Sequence, residues 1–207
     1  MKFWTLPNSD HLPVGVCYCI GRNYADHAKE MNASISHEKP VVFLKPPSAV
    51  IQNPTKIPIP NFSKVMHHEI ELVVVLGELS TPQFFGVGID LTLRDLQSEA
   101  KTKGEPWAVS KGFKRSAPVS NLVAFDQFPH TGVELVLTVN SNIKQSASTI
   151  SMERQVDELL EYLNDVFELQ PGDCVFTGTP AGVGPLFSGD QLTAEIPNYC
   201  HLSFSIE

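Results

Sequence analysis

Apolar residues along this chain gather in short runs separated by turn-forming clusters. The runs at 14–20, 41–44, 69–76, 84–90, 133–139 and 173–177 are rich in Val, Ile and Phe, and their length and composition predict strands. Helical spacing is rarer. Met152, Val156, Leu159, Leu160, Leu163, Val166 and Phe167 recur at it until Pro171-Gly172, which predicts a helix ending by Gln170. A second helix is expected to open at Thr92, whose hydroxyl suits an N-cap with Asp95 reaching back from three residues later, and to end near Gly104. The Pro-rich stretch 54–60 lacks the N–H groups for a full ladder and reads as an edge or extended connector. Strands interrupted by a few helices, without regular β-α-β alternation, point to an α+β fold built on a mixed sheet or rolled barrel.

Composition narrows the function. With 42% hydrophobic and 18% charged residues, the 207-residue chain is ordinary for a folded protein and long enough for the core of a single domain, residues 1–207. The 15 Lys and Arg stand against 23 Asp and Glu, and a formal charge of -8 repels polyanions, so nucleic acid is not expected as a partner. Met1-Lys2-Phe3-Trp4-Thr5-Leu6-Pro7 lacks the apolar core of a secretory signal, and no stretch has the uninterrupted apolar length of a membrane span. A cytoplasmic protein with no membrane partner is therefore expected. Cys17, Cys19, Cys174 and Cys200 show no zinc-site spacing and read as reduced, buried thiols.

The chemistry concentrates in His67-His68-Glu69-Ile70-Glu71-Leu72-Val73-Val74-Val75-Leu76-Gly77. Alternation along a strand puts His67, Glu69 and Glu71 on one face and Ile70, Leu72, Val74 and Leu76 on the other; past Glu71 both faces are apolar, the mark of a strand buried on both sides. Adjacent buried carboxylates repel and resist ionisation unless a cation is present, and Mg²⁺, Mn²⁺ or Ca²⁺ binding through oxygen supplies one. A solvated strand end, or pairing with Lys or Arg, is the ordinary alternative. Asp90, closing an apolar run just before the second helix, is the candidate third carboxylate. Three oxygen ligands suit Mg²⁺ or Mn²⁺ better than Zn²⁺.

Arg94 and Gln97 stand three apart on the expected helix and are suited to clamp a substrate carboxylate or carbonyl oxygen. Lys111 sits in an apolar stretch where burial would lower its pKa and an oxyanion or carboxylate could pair with it. His27 and Glu30, also three apart, can meet in a helical turn, the carboxylate orienting the imidazole as a general base requires. Thr177-Gly178-Thr179-Pro180-Ala181-Gly182-Val183-Gly184-Pro185 is a Gly-rich turn offering hydroxyls and backbone N–H groups to an anion; it lacks the Lys of a phosphate-binding loop. Taken singly, each has an ordinary counterpart: a solvated helix face, a snorkelling lysine, an exposed ion pair, a plain surface turn.

Read in order, Gly21-Arg22-Asn23-Tyr24-Ala25-Asp26-His27, Phe43-Leu44-Lys45-Pro46, His68-Glu69-Ile70-Glu71, Asp90-Leu91-Thr92-Leu93-Arg94-Asp95-Leu96-Gln97, Lys111 and Thr177-Gly178-Thr179-Pro180 with Gly182-Val183-Gly184-Pro185 resemble the fumarylacetoacetate hydrolase family, nearest its acylpyruvase and oxaloacetate-decarboxylase-like members. The resemblance implies a mixed β-roll and a homodimer. It further implies metal ligands at Glu69, Glu71 and Asp90, an acid–base pair of His27 and Glu30, a substrate-facing Lys111, and Arg94, Gln97, Gly178 and Thr179 as substrate contacts. One departure stands out: the connection between Glu71 and Asp90 is shorter than the family's usual one, which carries a helix.

The expected activity is metal-dependent hydrolysis of a C–C bond in an acylpyruvate-type β-diketo acid. Glu30 orients His27 to activate water, and Lys111 stabilises negative charge as pyruvate leaves as its enolate. Decarboxylation or keto–enol isomerisation of a 2-oxo dicarboxylic acid such as oxaloacetate is the alternative, and a non-catalytic 2-oxo acid binder with a structural cation is the reading from another class. Residues from about Asp26 to Lys39, polar and with little periodicity, are expected to act as a mobile lid over the site.

Overall fold

The computed structural model describes residues 1–31 and 38–207. The apolar runs settle as the strands Cys17–Gly21, Val41–Lys45, Ile70–Leu76, Pro82–Ile89, Glu134–Val139 and Cys174–Phe176. Five of these form the centre of a large curled sheet, in the order Val41–Lys45, Cys17–Gly21, Cys174–Phe176, Ile70–Leu76, Pro82–Ile89, then Ala117–Val119 and Val50–Gln52. Pairing is mixed, since Cys174–Phe176 runs parallel to Cys17–Gly21 and antiparallel to Ile70–Leu76. A second sheet orders Asn142–Ser148, Glu134–Val139, Gln191–Ile196, Cys200–Ile206 and Lys56–Ile57. The α+β mixed-sheet architecture expected from the sequence is the one observed, and the Pro-rich stretch supplies the edge strand Lys56–Ile57.

Ile70–Leu76 is buried along its whole length. Ile70, Leu72 and Val74 face a core shared with Leu135, Leu137 and Leu192 of the second sheet, while Val73 and Val75 face Trp4, Cys17, Cys19 and Cys174. Burial of a Val or Leu side chain is worth about 1.5–3 kcal/mol, so the carboxylates at the start of this strand stand on a firmly anchored support. A single 3-10 turn, Glu78–Ser80, joins it to Pro82–Ile89. The short connection is thus a direct hairpin, and the helix usual in the family has no counterpart there.

Two helix starts differ from expectation. Thr92 does not cap: it belongs to the strand pair Thr92–Leu93, which bonds Met66–His68, and the helix runs Arg94–Lys103. The Thr92 hydroxyl donates to the Asp90 carbonyl, and Asp95 accepts instead from Ser63 Oγ at 2.6 Å and Lys64 N–H at 2.8 Å. The helix does end at Gly104, in the left-handed conformation with φ 70°. The later helix is Val156–Phe167, capped by a Gln155–Glu158 box, so Met152 lies outside it. Asn23 explains why: its carbonyl takes the Glu153 N–H and its side chain takes the Arg154 N–H, tying the chain down before the helix begins.

Of the expected lid, Asp26 to Glu30 lie in the helix Ala25–Glu30, with His27 and Ala28 buried; residues 32–37 lie outside the described residues. Among the described residues no helix is long and apolar enough to cross a membrane.

Candidate active site

The hairpin register gathers the acidic residues. Ile70 pairs with Ile89 and Glu71 with Gly88, which sets Glu69 opposite Asp90; the Asp90 N–H donates to the Glu69 carbonyl at 2.8 Å. Opposed residues share a sheet face, and so do residues two apart. Glu69, Glu71 and Asp90 therefore converge, all buried, with ligand oxygens within 4.8 Å of one another.

Among the described residues three cations contact them. Lys111, on the short helix Ala108–Lys111, places Nζ 2.7 Å from Glu69, 2.5 Å from Asp90 and 2.6 Å from the Thr92 hydroxyl. Arg94 donates to Glu69 through Nη2 and to Gln97 Oε1 through Nη1 at 2.6 Å. Lys45, fully buried at the end of its strand, lies 2.8 Å from Asp90 Oδ1. Its three N–H donors are spent on the carbonyls of Leu91, Lys111 and Ser116, so Asp90 Oδ1 receives a charge contact without a hydrogen bond.

The electrostatics follow. Burial alone would push the Glu69 carboxyl up, but Lys111 and Arg94 outweigh it and hold it below the usual carboxylate range. Among the described residues Glu71 has no lysine or arginine in contact and accepts the Gly178 N–H at 2.7 Å, and burial together with the charges of Asp90 and Glu69 pushes it well above that range. For Lys111 the expectation of a lowered pKa is reversed. Burial does lower it, yet Asp90 and Glu69 together raise it past the ordinary value.

The Gly-rich turn does bind anions, and they are the protein's own. Gly178 N–H goes to Glu71, and Gly182 N–H lies 3.2 Å from both Glu30 oxygens. Both glycines have left-handed backbones, φ 100° and 98°, and a Cβ on Gly182 would stand 2.2 Å from the Lys144 carbonyl. Thus the Gly178 N–H, expected to face substrate, faces a carboxylate of the acidic group. His27 Nδ1 lies 3.3 Å from Glu30 Oε2, and burial holds its pKa below the ordinary value despite Glu69 and Glu30. His27, Arg94, Gln97, Lys111 and Thr179 line one cleft with the three carboxylates.

Three residues without an assigned role in the sequence reading support this constellation. Lys45 neutralises Asp90. Asn23 ties the loop before the His27 helix to the Thr177 carbonyl at 2.8 Å and to the Arg154 carbonyl at 2.9 Å. Gln145, from the second sheet, bonds the strand between Glu69 and Glu71 and the Thr179 hydroxyl.

Among known proteins, the family model described as fumarylacetoacetate hydrolase, C-terminal, matches residues 16–206. The chain is 37% identical over 200 residues to the mitochondrial oxaloacetate tautomerase FAHD1 of Homo sapiens, with 91% of this chain and 90% of the relative covered. It is 40% identical over 195 residues to the oxaloacetate tautomerase YcgM of Escherichia coli K12, with 87% and 88% covered. The crystal structure of fumarylpyruvate hydrolase from Pseudomonas aeruginosa in complex with Mn²⁺ and pyruvate superposes with a TM-score of 0.93 at 35% identity, covering 99% of this chain and 95% of that one.

Proposed function

The chain belongs to the fumarylacetoacetate hydrolase family and is an enzyme, and from that premise we propose that it uses a divalent cation, Mg²⁺ or Mn²⁺, to interconvert the keto and enol forms of a small 2-oxo dicarboxylic acid of the oxaloacetate type. The residues present fit such a cation: Glu69, Glu71 and Asp90 offer converging oxygens only, and Glu71 is short of positive charge. Charge supports the substrate class. Three carboxylates face three cations in direct contact, Lys45, Arg94 and Lys111, so a divalent ion makes the group net positive, and with Arg22 and Lys101 lining the same cleft an anionic acid is the matching ligand.

Glu69, Glu71 and Asp90 would hold the cation, which when bound would supply Lewis acidity toward the 2-oxo group and the carbon beside it. The proton transfer belongs to His27. Its Nδ1–H donates to Glu30, which leaves Nε2 as the basic nitrogen; Nε2 takes the proton from the carbon of the keto acid and returns it to the enolate oxygen. Arg94 and Lys111 balance the negative charge that develops between those steps. The observation that carries the reading is the chain Gly182 N–H to Glu30 to His27, which anchors an oriented imidazole, its pKa lowered by burial, in the cleft of the acidic group.

Hydrolysis of an acylpyruvate, ranked first by the sequence, becomes the second reading, favoured by the similarity to the fumarylpyruvate hydrolase. It assigns His27 to activate water instead. Stopped-flow absorbance of oxaloacetate enol, with Mn²⁺ and with chelator, tests the proposal beside assays of pyruvate and CO₂ release. Metal-dependent acceleration of enol decay without bond cleavage is expected. Pyruvate release from acylpyruvates without tautomerisation of oxaloacetate reverses the order of the two readings.

A further inference from the structure

Gln145 is the one buried residue of the strand Asn142–Ser148, whose other side chains are exposed or half-buried. A buried amide has two acceptor and two donor positions to satisfy, and here all four are engaged. Oε1 accepts from the Ile70 N–H at 3.0 Å and lies 3.0 Å from His68 Nδ1; Nε2 donates to Thr179 Oγ1 and to the Pro180 carbonyl, both at 2.8 Å. The backbone fixes which way the amide faces. A backbone N–H only donates, so the atom beside Ile70 is oxygen; a carbonyl only accepts, so the atom beside Pro180 is nitrogen. Two consequences follow: His68 carries its proton on Nδ1, and the Thr179 oxygen is an acceptor toward Gln145, so its own proton is aimed elsewhere.

That proton has no acceptor among the described residues, and Thr179 lines the cleft with the three carboxylates and His27. We infer that Gln145 is a positioning residue: it holds the Thr179 hydroxyl as a hydrogen-bond donor into the cleft for an anionic oxygen of the 2-oxo acid, while pinning Ile70 between Glu69 and Glu71. This rests on the 2-oxo acid reading of the site. The amide reaches the cleft from the second sheet, so it couples substrate binding to the seating of one sheet against the other.

The discriminating variant is Gln145→Glu, which keeps the shape and the acceptor for Ile70 but cannot donate, so the Thr179 hydroxyl turns its proton toward the new carboxylate. KM for oxaloacetate and the calorimetric Kd for oxalate, both with Mn²⁺, should rise roughly 10- to 100-fold, the range for a lost hydrogen bond to a charged group, with kcat much less affected. Thr179→Val should show the same rise, Thr179→Ser should restore wild-type behaviour, and the double variant Gln145→Glu/Thr179→Val should be no worse than the poorer single. In the metal-free protein, ¹⁵N NMR should report His68 as the Nδ1–H tautomer. An unchanged oxalate Kd in Gln145→Glu, additive losses in the double variant, or the Nε2–H tautomer overturns the inference. Oxalate binding without turnover of any 2-oxo acid overturns the functional reading alone; failure to bind oxalate overturns both.

Discussion

Replacing Lys111 with Met separates the two kinds of positive charge that the acidic group accommodates. Lys111 Nζ is buried and lies 2.7 Å from Glu69 and 2.5 Å from Asp90. In Lys111→Met, Arg94 still pairs with Glu69 and Lys45 with Asp90, but three carboxylates then face two cations in a water-poor site. Removing one partner of a buried ion pair costs about 3–5 kcal/mol because it strands the other. For a chain of this size each kcal/mol moves the unfolding midpoint by about 2–4 °C, so the metal-free variant should melt roughly 6–20 °C lower than the wild type. A divalent ion supplies the lost charge to the same oxygens. Scanning calorimetry in chelator and in saturating Mn²⁺ should therefore show a larger Mn²⁺-induced rise in the variant than in the wild type, while turnover falls. Equal rises in the two proteins, or no loss of stability in chelator, would refute the reasoning that Lys111 and the metal share these carboxylates.

Other outcomes follow from single contacts. His27→Ala should lower kcat by about 10²–10⁴-fold while oxalate binding persists; unchanged turnover in stopped-flow assays removes His27 from the proton transfer. Burial and the Arg94 guanidinium hold His67 at about 4 against an ordinary 6.5; the unfolded chain thus takes up the proton first, and stability should fall as pH drops from about 6.5 toward about 4. In His67→Gln the acid limb of midpoint against pH should flatten, and an identical limb discounts the residue. Gly182→Ala puts a Cβ 2.2 Å from the Lys144 carbonyl at φ 98°, so stability should drop by about 1–3 kcal/mol and kcat should fall with it as Glu30 loses its anchor. A stable variant with normal kcat shows that this anchor is dispensable. Dialysis against chelator should abolish tautomerase activity, and Mn²⁺ or Mg²⁺ should restore it.

What could be read in the sequence followed from period and register. A buried strand of period two announces itself, and once Glu69 and Glu71 begin such a strand their shared face is determined. Asp90 was within reach as the end of an apolar run just before a helix, whereas its place opposite Glu69 comes from a hairpin register with an irregularity at Val75/Leu76 that no local pattern shows. Long-range polar bonds were not legible. Gln145 lies in a polar strand next to Lys144 and Ser146, where nothing local distinguishes a buried amide from a solvated one; its partners are 34 to 77 residues away. Asn23 is similar, reaching Thr177 across 154 positions. Thr92 misled for the opposite reason: its local pattern is a sound N-cap, but pairing with Met66–His68 claims its backbone and Lys111 claims its hydroxyl.

The turn that closes on Glu71 and Glu30 sets a length as well as a charge. Its amides at Gly178 and Gly182 grip one carboxylate 107 positions away and another 152 positions away. The spacing between Glu71 on its strand and Glu30 beside His27 is therefore set by five consecutive residues, held by the two left-handed glycines and by the Gln145 bonds to Thr179 and Pro180. A small insertion in this turn is expected to shift Glu30 relative to Glu71 while leaving each of these side chains present.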